Sequence, residues 1–469
     1  MAARRAIPLV VLSLFISLFG AGLFTIAQDG HPLSVIDEHI HFDTAVKAGQ
    51  GELPYRGMLL GQELLDEWAC GVGHEGGDIP YPCGDPRVTP DAIPSGKYST
   101  GYGHYPTYFF AAAGFQKIFG AITGSEDLLQ GFRVFSALTL FLGVVATAVF
   151  GWLLGLRGAR LIAVTAVPIA TSMVVFAGTI VNPTSTSVLA GALIGGTGLL
   201  WMRRGRGFVW FALSVAFASS IAVTVVLPAG GFGLAMLVAL IWKRAAFFRE
   251  LEWHPRWWQL GTLSALVLLP IIAWGRFIAA RATVSNEALY GFLPPSGKKD
   301  ILVGATLELS LLHTPWRETH GIKSQPESFI GRLAHAFSEG APIWIGTLIF
   351  GGIVVALLLQ RWYKFSTVDA LLPRAQVTGA RGWAPTAFDA SVNLVALGTL
   401  ATIIVYPPAL RIMNWMNFGF DFPIVDRYSS AFTPLLAMLA LLMIRNRWFA
   451  MLLAVIAVLT GLGTVSGAI

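Results

Sequence analysis

The chain has 469 residues, of which 55% are hydrophobic and only 12% are charged, and its formal net charge is +6. Its mean hydropathy of +0.66 is far above that of a soluble globular protein, so a soluble fold is excluded. The positive charge does not indicate a nucleic-acid partner, because the basic residues stand in short clusters between apolar runs. These clusters are Arg4 and Arg5; Arg157 and Arg160; Arg203, Arg204 and Arg206; Lys243, Arg244 and Arg249; Arg361 and Lys364; and Arg445 and Arg447.

Long apolar runs recur along the whole chain. About 20 apolar residues cross the roughly 30 Å hydrocarbon core of a bilayer as a helix. The sequence therefore predicts an all-α integral membrane protein, a single polytopic domain over residues 1–469. The predicted spans, about eleven in number, are 7–27, 129–155, 161–180, 184–202, 207–225, 226–242, 257–277, 341–360, 390–408, 429–445 and 447–466.

Two large loops separate these spans, at residues 28–128 and 279–340. Basic clusters favour the cytoplasmic side, which predicts a cytoplasmic N-terminus and places both loops outside. Residues 7–27 are interpreted as a retained anchor, because the run is long for a signal peptide and its cleavage site is poor. The apolar segment 104–120 is interpreted as a helix lying at the outer interface with its aromatic side toward lipid. Counting it as a span would place the next basic cluster, Arg157 and Arg160, on the outside.

Cys70 and Cys83 both lie in the first large loop, in a stretch rich in Gly and Pro. A disulfide is predicted in an oxidising compartment, and closing a loop of this size stabilises the fold by roughly 3 kcal/mol. A metal site that includes His74 is the alternative, but the stretch lacks a paired C-x-x-C motif.

The segment SVIDEHIHFDTAVKAG at residues 34–49 places Asp37, Glu38, His41 and Asp43 close together after the first span. If the segment is helical, Asp37 and His41 lie one turn apart, and Glu38 neighbours His41 at i, i+3. A carboxylate and a histidine at this spacing can take a proton from a hydroxyl or help to hold a divalent cation. The alternative is a solvated loop, or a first helical turn in which acids are favoured by the helix dipole.

Two further segments place cations near the outer membrane boundary. Lys97 and His104 lie in GKYSTGYGHYPTYF, where either can contact an anionic head group. Arg427 lies in FGFDFPIVDRYSSAFTP, and arginine suits a phosphate well; Arg411 is a weaker candidate for the same role. The alternatives are interfacial anchoring by the aromatic residues, an ion pair between Asp426 and Arg427, or a snorkelling side chain.

Several motifs are missing from the sequence. It contains no Walker A loop, no Rossmann glycine fingerprint, no H-E-x-x-H and no G-x-S-x-G, so ATP-driven transport and NAD chemistry have no support. The span interiors carry almost no ionisable residues; Arg133 and Arg276 are expected to reach the interface from the ends of their spans. Proton-coupled transporters usually carry carboxylates in mid-membrane, and the predicted spans of this chain carry none. Asn182 and Pro183 are interpreted as a turn between two spans.

In their order along the chain, these segments resemble the GT-C superfamily of polytopic glycosyltransferases. Within it, the chain is similar to a bacterial membrane-protein family with P-D-E-x-x-H-F near its start, here IDEHIHF at residues 36–42. The family's H-P-P-x-Y-Y is similar to HYPTYF at 104–109, its V-N-P-D to VNPT at 181–184, and its late G-R-Y to DRY at 426–428. Departures from the pattern at Ile36, Thr184 and Asp426 leave the subfamily and the substrate open.

The resemblance implies a GT-C-like fold at the bacterial plasma membrane. It implies an inverting enzyme that moves a sugar from a polyprenyl-phosphate carrier to a hydroxyl of an envelope glycan, lipid or protein at the extracytoplasmic face. Asp37 is the implied base, Glu38 the second choice, and His41 the group that orients the carboxylate or the acceptor. The residues expected at the donor phosphate are Arg427, Lys97, His104 and Arg411. The residues expected at the substrate are Tyr105, Asp43, Asp426, Tyr428 and Asn182.

Two other functions are consistent with the sequence. A flippase or other transporter of lipid-linked sugars would need a polar path through the spans, of which the sequence shows little. A non-catalytic scaffold for envelope assembly would use the outer loops as a docking surface. Neither the sugar nor the acceptor can be named from the residues, and dependence on a divalent cation stays open.

Overall fold

The apolar runs form helices, because a helix satisfies every backbone hydrogen bond internally where no water is present. The computed structural model describes residues 2–34, 37–72, 81–93, 96–242, 254–290, 297–310, 316, 329–366, 389–422 and 424–466. Within these ranges there is no strand, only an isolated antiparallel bridge between Leu59 and Tyr98. The protein is therefore all-α, as predicted.

The α-helices are numbered here in chain order. They are α1 (Ala2–Gln28), α2 (Glu38–Gly49), α3 (Gln62–Cys70), α4 (Thr107–Thr123), α5 (Leu128–Leu153), α6 (Ala159–Ala166), α7 (Ser172–Thr179), α8 (Ser187–Arg204), α9 (Phe208–Ser219), α10 (Pro228–Ile241), α11 (Trp257–Ala280), α12 (Asn286–Tyr290), α13 (Lys298–Ser310), α14 (Phe329–Ser366), α15 (Ala390–Phe418), α16 (Phe432–Met443) and α17 (Arg447–Ser466). Short 3₁₀ turns are Pro90–Ala92, Gly101–Gly103, Val167–Ile169, Pro183–Thr186 and Asp426–Ser429.

Seven described helices are long and apolar enough to cross a membrane. They are Ile7–Gln28, Leu128–Leu153, Pro183–Arg204, Trp257–Ala280, Gly340–Leu359, Ala390–Phe418 and Arg447–Ser466. The predicted span 161–180 is a pair of helices bent by 65°, with Pro168 in the 3₁₀ turn between them. The predicted spans 207–225, 226–242 and 429–445 form shorter helices. The chain is a multi-pass membrane protein, and its described residues contain seven helices that could each form a span, or eight if the bent pair is counted as one.

Helix α4 lies where the interfacial helix was predicted, but two aromatic residues of its first turn face the protein interior and not the lipid. Tyr108 and Phe109 are buried, so the expectation that the aromatic side faces lipid is wrong for these two residues. The reason is a polar contact: the Tyr108 hydroxyl lies 2.6 Å from Ser136 Oγ and accepts the Asn182 N–H at 3.2 Å. Phe110 in the same turn is exposed, as are Ile118 and Ile122 further along α4.

Glycines allow close approach between helix backbones in the membrane core. A Cβ atom on Gly143 of α5 would lie 2.6 Å from the backbone nitrogen of Leu189 in α8. A Cβ atom on Gly231 of α10 would lie 2.7 Å from Thr399 Oγ1 of α15. These two glycines therefore allow close packing of α5 against α8 and of α10 against α15.

The two large loops contact one another. The Thr283 N–H of the second loop donates to the Arg56 carbonyl at 2.9 Å, and Arg56 Nη1 donates to Asn286 Oδ1 at 2.6 Å. Asn286 in turn donates to the carbonyl of Asn417, near the end of α15. Helix α14 has 38 residues, roughly 57 Å. It begins at Phe329, inside the second predicted loop, and its apolar part long enough to cross a membrane begins at Gly340.

A disulfide joins Cys70, at the end of α3, to Cys83. His74, the third residue of the alternative metal site, lies outside the described residues. The bond ties the end of α3 to a later part of the first loop.

Candidate active site

Asp37, the first acid of the motif, lies just before helix α2, whereas Glu38 is its first residue. Asp37 is the residue before the helix, with φ 62° and ψ −4°, the left-handed region that few residues other than glycine adopt. It is the one non-glycine residue with positive φ in the described part of the chain. Its side chain does not cap the helix, although its carbonyl accepts the His41 N–H at 3.1 Å. Such strain, of the order of 1 kcal/mol or more, often marks functional positions.

The Asp37 side chain points to Arg427 instead. Arg427 Nη2 lies 2.6 Å from Asp37 Oδ2, across 390 positions of sequence. The Asp37 side chain is 52% exposed, whereas that of Arg427 is 14% exposed. Arg427 lies in the 3₁₀ turn Asp426–Ser429 before α16, and its guanidinium lies 5.9 Å from the Tyr428 ring. An accessible carboxylate is thus paired with a cation that the fold largely covers.

A cavity of 420 Å³ opens beside Asp37. Lys97 and Asp91 lie on its wall and form an ion pair at 3.0 Å. Hydrogen bonding to Asp91 raises the pKa of Lys97, which is therefore a cation at neutral pH. The second loop contributes Leu289. We call this space the Asp37 cavity; its lining residues are Asp37, His39, Ile40, Asp91, Gly96, Lys97, Tyr98, Thr100, Ala288 and Leu289.

Two histidines lie behind the pair. His41 Nδ1 lies 3.0 Å from the Val181 carbonyl, so Nδ1 carries the hydrogen, and His41 Nε2 lies 3.2 Å from His104 Nε2. In the neutral pair, His104 Nε2–H therefore donates to His41 Nε2. Burial lowers the pKa of both rings, and that of His41 falls well below 6.5. His41 thus contacts His104 and Val181 rather than orienting Asp37, and a neutral His104 brings no positive charge to a phosphate.

Glu38 is enclosed by hydrogen-bond donors. Arg133 Nε and Nη2 bind its two oxygens at 2.8 and 2.9 Å, and the Ser34 and Val181 N–H groups donate at 2.7 and 3.0 Å. Arg133 also donates to the carbonyl of His31. Glu38 is 0% and Arg133 2% exposed, so Arg133, near the start of its span, binds the first loop and not water. Glu38 fixes the start of α2 against α5 and is not placed to take a proton from a substrate.

Two other predicted residues bind neighbouring parts of the protein. Asp43 is buried, lies 2.7 Å from Lys47 Nζ and accepts the Gly61 N–H at 2.7 Å; burial raises its pKa. The Arg411 guanidinium binds two carboxylates, with Nη1 2.8 Å from Glu308 Oε1 and Nη2 2.6 Å from Asp421 Oδ2. Neither lines the Asp37 cavity: the hydrogen bond from Gly61 joins Asp43 of α2 to the first loop, and the ion pair with Glu308 joins Arg411 of α15 to α13.

The remaining predicted residues surround the site at different depths. Tyr105 is buried edge-on against Trp274, with 6.1 Å between the ring centroids, and burial raises its pKa to about 12. The Asn182 side chain accepts the Thr184 N–H and caps a 3₁₀ turn, as the simple turn interpretation predicts. Asp426 and Tyr428 flank Arg427, and the Asp426 carbonyl accepts the Ser429 hydroxyl.

Three features could not be predicted from the sequence: the position of Asp91 on the cavity wall, the burial of Arg133 and the burial of Tyr108. Arg133 gave a signal, because an ionisable residue near a span is expected to have a partner, but the partner lies 95 positions away. Asp91 gave none, since an acid in a polar loop is ordinary.

The acidic motif does not form a metal centre. Asp37 is paired with Arg427 and Glu38 with Arg133. Among the residues that the structure describes, no group of three or more His, Cys, Asp or Glu side chains is arranged to hold a metal ion. We derive no step through a divalent cation.

No protein-family model and no curated protein matches the chain. Two crystal structures of ArnT from Cupriavidus metallidurans are similar to it, one bound to undecaprenyl phosphate and one in the apo state. Both are 13% identical, with TM-scores of 0.38 and 0.36. The alignments cover 97% of this chain and 77% of the bound structure, and 89% and 78% for the apo structure. Scores this low carry no argument about the reaction.

Proposed function

We propose that this protein is a GT-C type glycosyltransferase. It would transfer a sugar from a polyprenyl-phosphate carrier to a hydroxyl of a cell-envelope glycan, lipid or protein. The observation that carries the proposal is the pairing of Asp37 with Arg427 at a polar cavity between two large loops. A base and a phosphate-binding cation are the two groups that this transfer requires.

Asp37 is the proposed base. Its carboxylate is accessible, lines the cavity and takes the proton of the acceptor hydroxyl as the oxygen attacks the anomeric carbon of the sugar. The bond between that carbon and the phosphate oxygen breaks, and the polyprenyl phosphate leaves with the electron pair. Attack from the face opposite the phosphate inverts the anomeric centre.

Arg427 is the proposed phosphate ligand. A guanidinium binds phosphate oxygens with two parallel hydrogen bonds and stabilises the charge that develops on the leaving group. In the structure this guanidinium is bound to Asp37, so donor binding would draw it to the phosphate and leave the carboxylate free to accept a proton. Lys97 supplies a second cation at the same cavity.

The surroundings suit a lipid-borne substrate. The apolar helices provide lipid-facing surfaces for a prenyl chain. The two loops enclose the polar cavity from the other side, and Arg56 and Thr283 hold them together. Excluding water from this space would favour transfer over hydrolysis of the donor. The basic clusters at the other ends of the helices favour an extracytoplasmic site.

The test is a transfer assay with purified protein in lipid. A panel of polyprenyl-phosphate sugars labelled in the sugar is incubated with a cell-envelope acceptor extract, with and without EDTA. We expect labelled product from one donor and no loss with EDTA. If folded protein transfers no sugar from any donor but moves a lipid-linked sugar across the bilayer, the protein is a transporter and the proposal fails.

A further inference from the structure

A second cavity lies between α8 and α9, at the opposite end of the molecule from Asp37. Helix α8 follows directly on the turn Pro183–Thr186, next to the Val181 carbonyl that binds His41. It ends at Arg204, beside a cavity of 780 Å³. The cavity shares no lining residue with the Asp37 cavity, so its argument is independent of the proposed function.

The shape of this cavity follows from helical spacing. On α8 the lining residues are Leu193, Thr197, Leu200 and Arg204, which recur every three or four positions and form one stripe along the helix. Eleven residues of helix between the first and the last correspond to roughly 16 Å. This is about half of the roughly 30 Å hydrocarbon core, the depth of one leaflet. We call the space the Arg204 groove.

The walls of the groove are apolar and open sideways. Helix α9 contributes Trp210, Leu213 and Phe217, which are 68%, 53% and 38% exposed. The hydroxyls in the groove are already bonded: Ser214 donates to the Trp210 carbonyl, and Thr197 to the Leu193 carbonyl. A hydrocarbon chain could therefore lie along the groove and contact apolar side chains, without meeting a polar group that needs a partner.

Positive charge is concentrated at one end. Arg204 and Arg206 line the groove at the turn between α8 and α9, and neither has a carboxylate partner among the described residues. Their neighbour Arg203 does have one, since its Nε lies 2.9 Å from Asp389 Oδ2. Two uncompensated guanidinium groups beside an apolar groove favour an anion with a hydrocarbon tail.

We propose that the Arg204 groove binds an anionic phospholipid. One acyl chain lies along α8 between Leu193 and Leu200, and the phosphate lies between Arg204 and Arg206. The lipid belongs to the leaflet opposite the Asp37 cavity, because α8 runs from one site to the other. The ligand class is set by both features together, as the arginines select the anionic head and the groove selects the chain.

The test is native mass spectrometry of the purified protein titrated with phosphatidylglycerol or phosphatidylcholine of equal chain length. We expect one tightly retained phosphatidylglycerol, and about 25-fold weaker binding in Arg204→Ala/Arg206→Ala, since each arginine beside an anionic head contributes a factor of about five. The matched control is Arg445→Ala/Arg447→Ala, which removes the same charge from a cluster at the same end of the protein and should bind as the wild type does. Leu213→Trp, an exposed change that fills the groove, should weaken binding with both arginines intact.

Three results would overturn the proposal. Equal loss in the two double variants would mean diffuse attraction by surface charge. Equal retention of phosphatidylcholine would remove the role of the anionic head. If glycerol 3-phosphate, which has no acyl chain, binds as tightly as the lipid, the arginines form a site for free phosphate and the groove is not used.

Discussion

Asp37 and Arg427 restrain one another in the substrate-free protein. The backbone of Asp37 is left-handed, and its carboxylate is held by a guanidinium that is itself mostly covered. Because the Asp37 side chain is half exposed, losing its partner leaves it in contact with water and imposes little desolvation cost. Loss of Arg427 should therefore alter substrate binding and turnover more than folding.

Replacing Arg427 by alanine should weaken binding of the polyprenyl-phosphate donor by at least about tenfold, since hydrogen bonds to a charged group contribute about 1.5–3 kcal/mol. The acceptor KM should change less. The measurement is donor binding by titration in lipid discs, with Arg281→Ala as control. Arg281 is an exposed cation 5.2 Å from the Phe277 ring and lies outside the Asp37 cavity. Equal donor affinity in wild type and Arg427→Ala would return Arg427 to a purely structural role.

Glu38 should behave in the opposite way, because it is buried and fully bonded. Glu38→Gln leaves the Arg133 charge uncompensated inside the protein, and breaking a buried pair costs about 3–5 kcal/mol. We expect a clear fall in the melting temperature in detergent. Asp85→Asn, which removes the partner of Arg87 in a surface ion pair, is the control and should melt as the wild type does. A Glu38→Gln protein of unchanged melting temperature would contradict this interpretation of the pair.

The sequence predicted that several polar residues lie near Asp37, but it did not predict their partners. Helical spacing placed Asp37, Glu38 and His41 near one another, and the resemblance added Arg427 from the far end of the chain. Spacing did not separate the two acids, although one is half exposed and the other completely buried. That difference depends on Arg133 and on the Val181 N–H, whose positions only the folded chain defines.

At the scale of elements, α2 is held by the polypeptide around it. Its first turn binds α5 through Arg133, its second binds the loop at Val181 through His41, and Lys47 in its last turn binds the first loop at the Leu59 carbonyl. From the sequence this segment could be a helix or a solvated loop, and none of these attachments could be predicted. They fix the direction in which Asp37 leaves the helix start.

The buried histidines predict an acid-sensitive fold. The pKa of His41 in the folded protein lies below 6.5, so below pH 6.5 the unfolded chain binds a proton that the folded protein does not. Stability is therefore complete above that value and falls as the pH drops toward the folded pKa. We expect the melting temperature to fall between about pH 7 and about pH 5, and to fall less in His41→Gln.

The comparison between wild type and His41→Gln matters more than either curve alone. Burial raises the pKa of Asp43 and of Glu67, and raised carboxyl pKa values stabilise the folded state as the pH falls. These groups are common to both proteins and cancel in the difference. If the melting temperatures of wild type and His41→Gln fall in parallel with pH, protonation of His41 does not destabilise the folded protein.

At the scale of the whole molecule, hydropathy located the apolar runs but not their lengths. Each predicted span coincides with a helix or a bent pair, yet three of these helices are short. Pro228 shows why: it begins α10, and residues 220–227 before it form turns rather than a continuous helix. Average hydrophobicity across a window does not register such a break. The contact between the two large loops is a long-range event that local pattern does not encode.

The orientation can be tested because both native cysteines are in a disulfide and the chain has no free thiol. A cysteine at position 91 (Asp91→Cys) should react with a membrane-impermeant maleimide in intact cells. A cysteine at position 206 (Arg206→Cys) should react only after permeabilisation, because the basic clusters favour the cytoplasmic side. Labelling of both positions from outside would contradict the topology.

The central claim is that the Asp37 carboxylate accepts the proton of the acceptor. The most direct measurement compares single-turnover transfer rates of Asp37→Asn and Asp91→Asn with the wild type. Both changes remove one negative charge from the same cavity, and asparagine, like aspartate, tolerates the left-handed backbone at position 37. We expect a loss of about 10²–10⁴-fold for Asp37→Asn in protein that remains folded, and near-normal transfer by Asp91→Asn. Equal rates for the two variants would show that Asp37 is not the base.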